Sequence, residues 1–154
     1  MMNDAVDGVE VTVLHDLVYE DRGVNLTEGE TVTLNGQEAY VYLRGRDIHE
    51  YDSATNRLRR QEQYITAYMD KLKTAAGNDV SAAVKIYESI EEYIVSSIDF
   101  AGLVSEVSGY TYTSDNLYTI PGETVMGEVY EEYHVDEEAF YDMILEIFYT
   151  EVME

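Results

Sequence analysis

The first half of the chain alternates apolar and polar residues in a way that predicts short strands. In residues 9–14 the side chains of Val9, Val11 and Val13 fall on one parity, as in a half-buried β-strand. Residues 23–29 predict a loop, and residues 30–34 predict a second short strand. The chain therefore opens with β-structure.

Asn35 and Gly36 allow two interpretations. An Asn-Gly pair is a common hairpin turn. Asparagine is also a good N-cap, and Glu38 lies three residues further on, as in a capping box. We favour a helix that begins with Gln37, Glu38 and Ala39.

Two later segments have the 3.6-residue period of amphipathic helices. After a polar, irregular stretch at residues 43–53, residues 54–76 predict a long helix with Leu58, Ile65, Met69 and Leu72 as its buried stripe. The clearest helix is the last, with Asp136 as its cap. Its apolar residues are Ala139, Phe140, Met143, Ile144, Ile147 and Phe148.

The segment between these helices predicts both helical and extended structure. Val84, Tyr87, Ile90 and Ile94 indicate a helix capped by Asp79 or Ser81, and a shorter helix with Leu103, Val104 and Val107 runs from Asp99 to Gly109. Residues 117–120 and 123–134 predict extended segments separated by a turn at Pro121 and Gly122. Without repeats or linkers, residues 1–154 are expected to form one domain of mixed α and β structure.

Composition excludes several kinds of function. The 154-residue chain has no cysteine, which rules out disulfides and thiolate metal sites. Its net charge of −23 argues against unaided binding to nucleic acid or to an anionic membrane surface. No apolar run is long enough to cross a bilayer, and the first residues do not have the pattern of a signal peptide.

The few basic residues are the most informative about function. Only 9 are present, and five fall in one short window: Arg44, Arg46, Arg57, Arg59 and Arg60. Guanidinium groups match phosphate oxygens, so the cluster indicates a phosphate or pyrophosphate receptor. On a helix, Arg57, Arg60, Gln61 and Tyr64 share one face, whereas Arg59 points to the far side.

Composition alone favours a simpler interpretation of these arginines. Most arginines in an acidic protein pair with surface carboxylates, and such pairs contribute only ~0–1 kcal/mol. Asp52, or Ser53 beside it, would then be only the N-cap of the long helix.

Other chemical motifs are not found. The sequence has no Gly-rich phosphate loop, no zinc-binding helix and no serine nucleophile elbow. His15, His49 and His134 are far apart in sequence, so we expect surface or strand positions for them and no metal site. Capping of the last helix explains the acidic residues 136–138.

The amino-acid sequence of residues 23–64 resembles that of the LytR-CpsA-Psr family. The resemblance is carried by GETVTLNGQEA at residues 29–39, by Tyr42 with Arg44 and Arg46, and by Asp52 followed by RLRRQ at residues 57–61. Residues 5–13 are similar to a strand of the family, and residues 121–127 look like the tail of clostridial members. The resemblance implies a three-layer α/β/α sandwich around a mixed sheet, with about four to five helices.

It also implies a function in Gram-positive cell envelopes. The family transfers a glycopolymer, such as teichoic acid or capsule, from a polyprenyl pyrophosphate carrier to peptidoglycan on the outer face of the membrane. By this resemblance Arg44, Arg46, Arg57 and Arg60, with Gln61 beside them, bind the pyrophosphate, and Asp52 orients the arginines. The lipid would occupy an apolar tunnel between the sheet and the helices.

The chain also departs from the family pattern. Asp52 stands farther from Arg57 than is usual, and the family's magnesium-binding aspartates and its membrane anchor precede the region at which this sequence opens. We therefore expect the carboxyl-terminal half of the domain, partly incomplete and inactive alone, with magnesium only in the complete domain.

Two further expectations follow from an incomplete sheet and from the charge. Exposed sheet edges predict a homodimer or a rearranged sheet. The alternative to an enzyme fragment is a non-catalytic, acidic binding module of the cell envelope. A regulatory role is a third hypothesis, since the family carries a transcriptional-attenuator label, but the acidic charge makes direct DNA binding unexpected.

Overall fold

The computed structural model of the protein describes residues 2–46, 51–78, 84, 87–88, 91–93, 95, 102 and 117–149. The α-helices are α1 (Gly36–Arg44), α2 (Ser53–Asn78) and α3 (Glu137–Phe148). The strands are β1 (Val9–Thr12), β2 (Leu17–Tyr19), β3 (Val24–Leu26), β4 (Thr31–Leu34), β5 (Gly122–Met126) and β6 (Glu131–Val135). Short 3-10 turns lie at Asp4–Val6, Glu20–Arg22 and Glu91–Tyr93.

Strands β1 and β4 form an antiparallel pair, which confirms the two predicted strands. Their register runs from Val9 opposite Leu34 to Thr12 opposite Thr31. Alternate residues of β1 are buried, as the sequence pattern predicts. Gly8 enters this pair with φ +78°, and a Cβ there would lie 2.7 Å from the Leu34 carbonyl oxygen. Only glycine combines this backbone conformation with so close an approach.

Strands β2 and β3 form a second antiparallel hairpin, so the loop predicted for residues 23–29 is wrong in part. Leu17 lies opposite Leu26, and Tyr19 opposite Val24. Val24 and Leu26 are buried while Asn25 is exposed. A three-residue strand is too short to give a periodic signal, and its pairing with β2 determines its conformation.

Helix α1 starts as predicted at the Asn35 cap. The Asn35 side chain accepts hydrogen bonds from the backbone N–H groups of Gln37 and Glu38, and the Glu38 carboxylate accepts one from the Asn35 N–H. This capping box satisfies the first N–H groups of the helix. Ala39, Val41 and Tyr42 then enter the core. The core is completed by Val6, Val9, Val11, Val13, Leu17, Val24, Leu26, Leu34 and Tyr68.

Helix α2 confirms the long predicted helix but buries a different face. Met69 and Leu72 pack against the core as predicted, whereas Leu58 and Ile65 are exposed. The buried face carries Arg60 and Tyr68, with Tyr64 packed beside them, and is rotated by roughly one residue, about 100°, from the predicted stripe. The tyrosine rings therefore pack against the core where the sequence pattern placed aliphatic side chains.

The carboxyl-terminal part of the chain forms a hairpin and a helix. Residues 123–134, predicted as one extended segment, are instead the antiparallel pair β5–β6 with Gly122 opposite Val135. The turn closes where the Gly127 N–H donates to the Tyr130 carbonyl oxygen. Helix α3 follows as predicted, with the Asp136 side chain accepting from the Ala139 N–H. Residues 117–120 have no regular structure.

The predicted helices between residues 79 and 109 fall mostly outside the described residues. Val84, Tyr87 and Gly102 are helical, whereas the proposed caps Asp79, Ser81 and Asp99 and the proposed stop at Gly109 lie outside the described part of the chain.

The predicted fold class, mixed α and β, is confirmed. Within the described residues every strand pair is antiparallel, and the mixed sheet implied by the resemblance is not seen there. Parallel pairing needs a crossover of a dozen or more residues, whereas short turns join β2 to β3 and β5 to β6. None of the helices in the described ranges is both long enough and apolar enough to cross a bilayer.

Candidate functional site

A polar cavity of about 390 Å³ lies beside the first turns of α2. The turn between β1 and β2, the segment after α1, and α2 contribute its walls. It is lined by His15, Asp16, Leu17, Val18, Tyr19, Gly45, Arg46, Ser53, Asn56 and Arg60. Two of the predicted site residues, Arg46 and Arg60, therefore share one cavity.

Arg60 reaches the cavity from a buried position on α2, with 3% of the residue exposed. Its Nε donates to the Tyr42 carbonyl oxygen at 2.8 Å, and its guanidinium also donates to the Gly45 carbonyl oxygen. The neighbouring Gln61 Nε2 donates to the Leu43 carbonyl oxygen at 3.0 Å. These carbonyls end helix α1, where the helix dipole and unpaired acceptors favour a cation. Helix α1 thus fixes the position of Arg60.

Arg46 is held at three points. Its backbone N–H donates to Tyr19 Oη at 2.8 Å, its Nε donates to Ser53 Oγ at 3.0 Å, and its Nη2 lies 3.4 Å from Glu131 Oε2. The Glu131 side chain is only 5% exposed, whereas that of Arg46 is 28% exposed. The guanidinium is therefore fixed on one side and open on another.

Glu131 was not among the residues that the sequence indicated. It also accepts from the Ser53 N–H at 3.3 Å, which makes it a cap for α2 supplied by β6. Nothing in a single sequence distinguishes this residue from the other 31 acidic residues, because its role depends on a contact across 78 positions.

Arg57 and Gln61 line a second, largely apolar groove of about 500 Å³ between α2 and the β5–β6 hairpin. Its apolar walls come from Leu58, Leu117, Tyr118, Ile120, Tyr133 and Val135. On a helix Arg57 is about 60° from Arg60 and about 40° from Gln61, so it stands between the cavity and the groove. Arg57 makes no hydrogen bond or ion pair with the described residues.

Three other residues of this region do not line the cavity. Arg44 is exposed at the end of α1, without a partner among the described residues. Arg59 is exposed, as predicted, and its Nη1 lies 3.5 Å from Asn56 Oδ1. Asp52 has φ +63°, and its carbonyl oxygen accepts from the Asn56 N–H. The Asp52 carboxylate pairs with no arginine in the described part of the chain, so its orienting role remains a prediction.

His15 is a cavity residue that the sequence indicated only as a surface or strand position. It follows β1 in the turn that leads to β2. Its Nδ1 is buried and has no hydrogen-bond partner among the described residues. No sequence signal marks this histidine, since the cavity beside it also depends on residues between 45 and 60, which are distant along the chain.

Buried tyrosines lie on the core side of the site. Burial raises the pKa of the Tyr42 hydroxyl, against the opposing effects of a backbone hydrogen bond from Leu14 and the charge of Arg60. Burial, followed by the proximity of Tyr68 and Asp4, raises the pKa of Tyr64 to about 12. The Arg60 guanidinium lies 5.9 Å from the Tyr42 ring centre. These phenols stay protonated and uncharged at neutral pH.

The part of the chain that the structure describes contains no group of three or more His, Asp or Glu side chains able to hold a metal ion. The described residues therefore do not supply a ligand set for the magnesium ion that the family resemblance implies for a complete domain.

Fold and site together define a mixed α/β domain with two arginines at a polar cavity. Residues 1–146 match the model of the LytR_cpsA_psr family. The chain belongs to this family, as the sequence motifs predicted.

Solved structures share this fold. TagV of B. subtilis aligns with a TM-score of 0.67 and 23% identity over 97% of this chain and 60% of its own. TagU of B. subtilis aligns with a TM-score of 0.57 and 20% identity over 99% of this chain and 62% of its own. Lin1025 of Listeria innocua aligns with a TM-score of 0.56 and 21% identity over 93% and 58%. The chain thus spans about 60% of the length of these proteins, and a comparison with curated proteins gave no significant match.

Proposed function

We propose that this chain binds the pyrophosphate of a polyprenyl-pyrophosphate-linked glycan and belongs to a cell-wall glycopolymer phosphotransferase. The observation that carries the proposal is the shared polar cavity of Arg46 and Arg60. In a chain of net charge −23, two guanidinium groups lie at one cavity, where the Asp16 and Glu131 carboxylates offset part of their charge.

The geometry around Arg46 supports this role. Its described contacts use Nε and Nη2, which leaves the Nη1 N–H groups without a partner among the described residues. The side chain is held in place before any ligand arrives, so binding costs little conformational entropy. The start of α2 at Ser53 adds the partial positive charge of a helix N-terminus.

The apolar groove on the other flank of α2 suits a hydrocarbon chain. We propose that the polyprenyl chain lies against Leu58, Ile120 and Tyr133, while Arg57, between groove and cavity, contacts the pyrophosphate. Arg44 would reach the same group from the exposed end of α1. Gln61, which lies beside Arg57, would bind the same pyrophosphate.

The chemistry asked of these residues is charge stabilisation. In the reaction an acceptor hydroxyl on peptidoglycan attacks the phosphorus that carries the glycan, and the bond to the polyprenyl phosphate breaks. Arginines stabilise the charge on the phosphate oxygens, which is the main catalytic contribution in phosphoryl transfer. We place the reaction on the outer face of the cell membrane.

A second candidate function is an acidic, non-catalytic interaction module. It is favoured by the contacts already made by both cavity arginines: Arg60 donates to backbone carbonyls and Arg46 to Ser53 and Glu131. In that case the arginines serve the fold, and the acidic surface binds a cationic partner.

Titration calorimetry with a short polyprenyl pyrophosphate separates these functions. We expect saturable binding that weakens at least ~10-fold in Arg46→Gln, since a hydrogen bond to a charged group is worth ~1.5–3 kcal/mol. Arg59→Gln is the matched control, because Arg59 is exposed on α2 and does not line the cavity, and it should change affinity less than about twofold. If the unaltered chain does not bind, the interaction module is the better description.

A further inference from the structure

The polar side chains that line the cavity are nearly all engaged within the protein. Asp16 accepts from the Glu28 N–H, and Tyr19 Oη from the Arg46 N–H. Ser53, Asn56, Arg46 and Arg60 also have hydrogen-bond partners. His15 is the exception: neither of its ring nitrogens bonds to the described residues, and Nδ1 is shielded from solvent.

The position of this ring indicates a ligand contact. A cavity ligand cannot satisfy the buried Nδ1, but Nε2 also has no partner among the described residues and belongs to a side chain that lines the cavity. The shielded Nδ1 cannot reach a ligand, which leaves Nε2 as the donor. The proton position on a histidine follows the hydrogen bonds of its two nitrogens.

We infer that His15 is a binding residue of this cavity, whose Nε2–H donates to a phosphate oxygen of the anion held by Arg46. The inference rests on the proposed function and deepens it. It assigns a third donor, supplied by the β1–β2 turn, to a site whose other donors come from the end of α1 and the start of α2. Donors from three directions suit the tetrahedral array of oxygens around phosphorus.

The probe is inorganic pyrophosphate, titrated calorimetrically into the full chain and into three variants. His15→Phe keeps a ring and removes both nitrogens, and we expect it to weaken binding at least ~10-fold, the effect of losing one hydrogen bond to a charged group. His15→Gln places an amide nitrogen near the position of Nε2 and should restore affinity to within about twofold of the unaltered chain. His134→Phe is the control, since His134 is exposed on β6 and pairs with Glu132.

A second readout does not depend on any variant. In the unaltered chain, pyrophosphate should shift the imidazole NMR signals of His15 and leave those of His134 in place. This decides the inference even if His15→Phe fails to fold.

The outcomes separate the two proposals. Suppose that pyrophosphate binds through Arg46, but its affinity is unchanged in His15→Phe or the His15 signals do not move. The role of His15 is then overturned, and the proposed function still stands. Absence of binding to the unaltered chain overturns both.

Discussion

Arg60 places a positive charge in the core by donating to the carbonyl oxygens that end α1. The partially negative end of the α1 dipole favours this cation, and the carbonyls of Tyr42 and Gly45 gain the partners that a helix end otherwise lacks. The same side chain borders the cavity, so one residue joins the packing of two helices to the geometry of the site.

This arrangement predicts a large effect of removing Arg60. Arg60→Met keeps most of the side-chain volume but leaves buried carbonyls unsatisfied, so we expect a loss of roughly 2–4 kcal/mol in the free energy of unfolding. Urea denaturation followed by circular dichroism measures it. Arg59→Met, at the neighbouring exposed position, should cost less than about 0.5 kcal/mol. Equal losses in the two variants would contradict a structural role specific to Arg60.

Tyr64 gives the protein a defined sensitivity to alkali. Its hydroxyl donates to Asn3 Oδ1, and its pKa in the folded protein is about 12, above the ordinary value of 10.0. The folded state therefore holds this proton more tightly than the unfolded state. The resulting stability is fully present below pH 10 and is lost as the pH rises from about 10 to about 12.

We expect Tyr64→Phe to make the loss of stability over this range less steep. Urea unfolding at a series of pH values between about 8 and 11 measures the slope. Tyr93→Phe, at a ring that is 78% exposed, should leave the slope unchanged. A slope that Tyr64→Phe does not alter would contradict the assignment.

The sequence identified some site residues and not others, for a physical reason. The arginines stood out because they are few and close together, and the family motifs gave them a role. His15 and Glu131 could not be found in this way. Their environments are produced by contacts between segments that are distant along the chain, and an isolated histidine or glutamate has no local signature.

Helix starts are the elements that the sequence specifies best. Asn35 and Asp136 form their caps with residues two or three positions away, so the signal and the contact are both local. The β2–β3 hairpin has no such local signal, because its three-residue strands are stabilised by pairing. The predicted buried face of α2 is wrong because it also depends on packing. Tyr64 and Tyr68 stack on each other, with ring centres 6.1 Å apart, and pack inward.

The capping box of α1 predicts a measurable contribution to stability. Asn35→Ala removes the acceptor for two N–H groups, and we expect a loss of about 1 kcal/mol in the free energy of unfolding. Asn25→Ala is the matched control, since Asn25 is an exposed residue of β3 without a capping role. Thermal or urea denaturation of both variants provides the comparison. A similar cost for the two substitutions would show that the box contributes nothing of its own.

Across the whole molecule, exposed apolar surface favours self-association, whereas the high net charge disfavours it. Leu117, Tyr118 and Ile120 are exposed along the groove, and Phe148 of α3 is 71% exposed. The described strands also form only two-stranded pairs, which leave edges available for pairing. Repulsion between copies of net charge −23 acts against self-association, and salt screens it.

We therefore expect the predicted homodimer to form with increasing salt. Light scattering coupled to gel filtration, at low and at about 0.5 M sodium chloride and over a range of protein concentrations, measures the molar mass. The expected result is a shift toward twice the 17.6 kDa chain mass at high salt and high concentration. A monomer under every condition would contradict it.

The contact of Glu131 with Ser53 and Arg46 has a consequence for synthesis. The carbonyl partners of Arg60 come from the end of α1, which precedes it in the chain. Arg46 instead depends on a carboxylate that the ribosome adds 85 residues later. In the nascent chain the carbonyl partners of Arg60 are therefore present early, whereas the carboxylate partner of Arg46 is present only after β6 has been made.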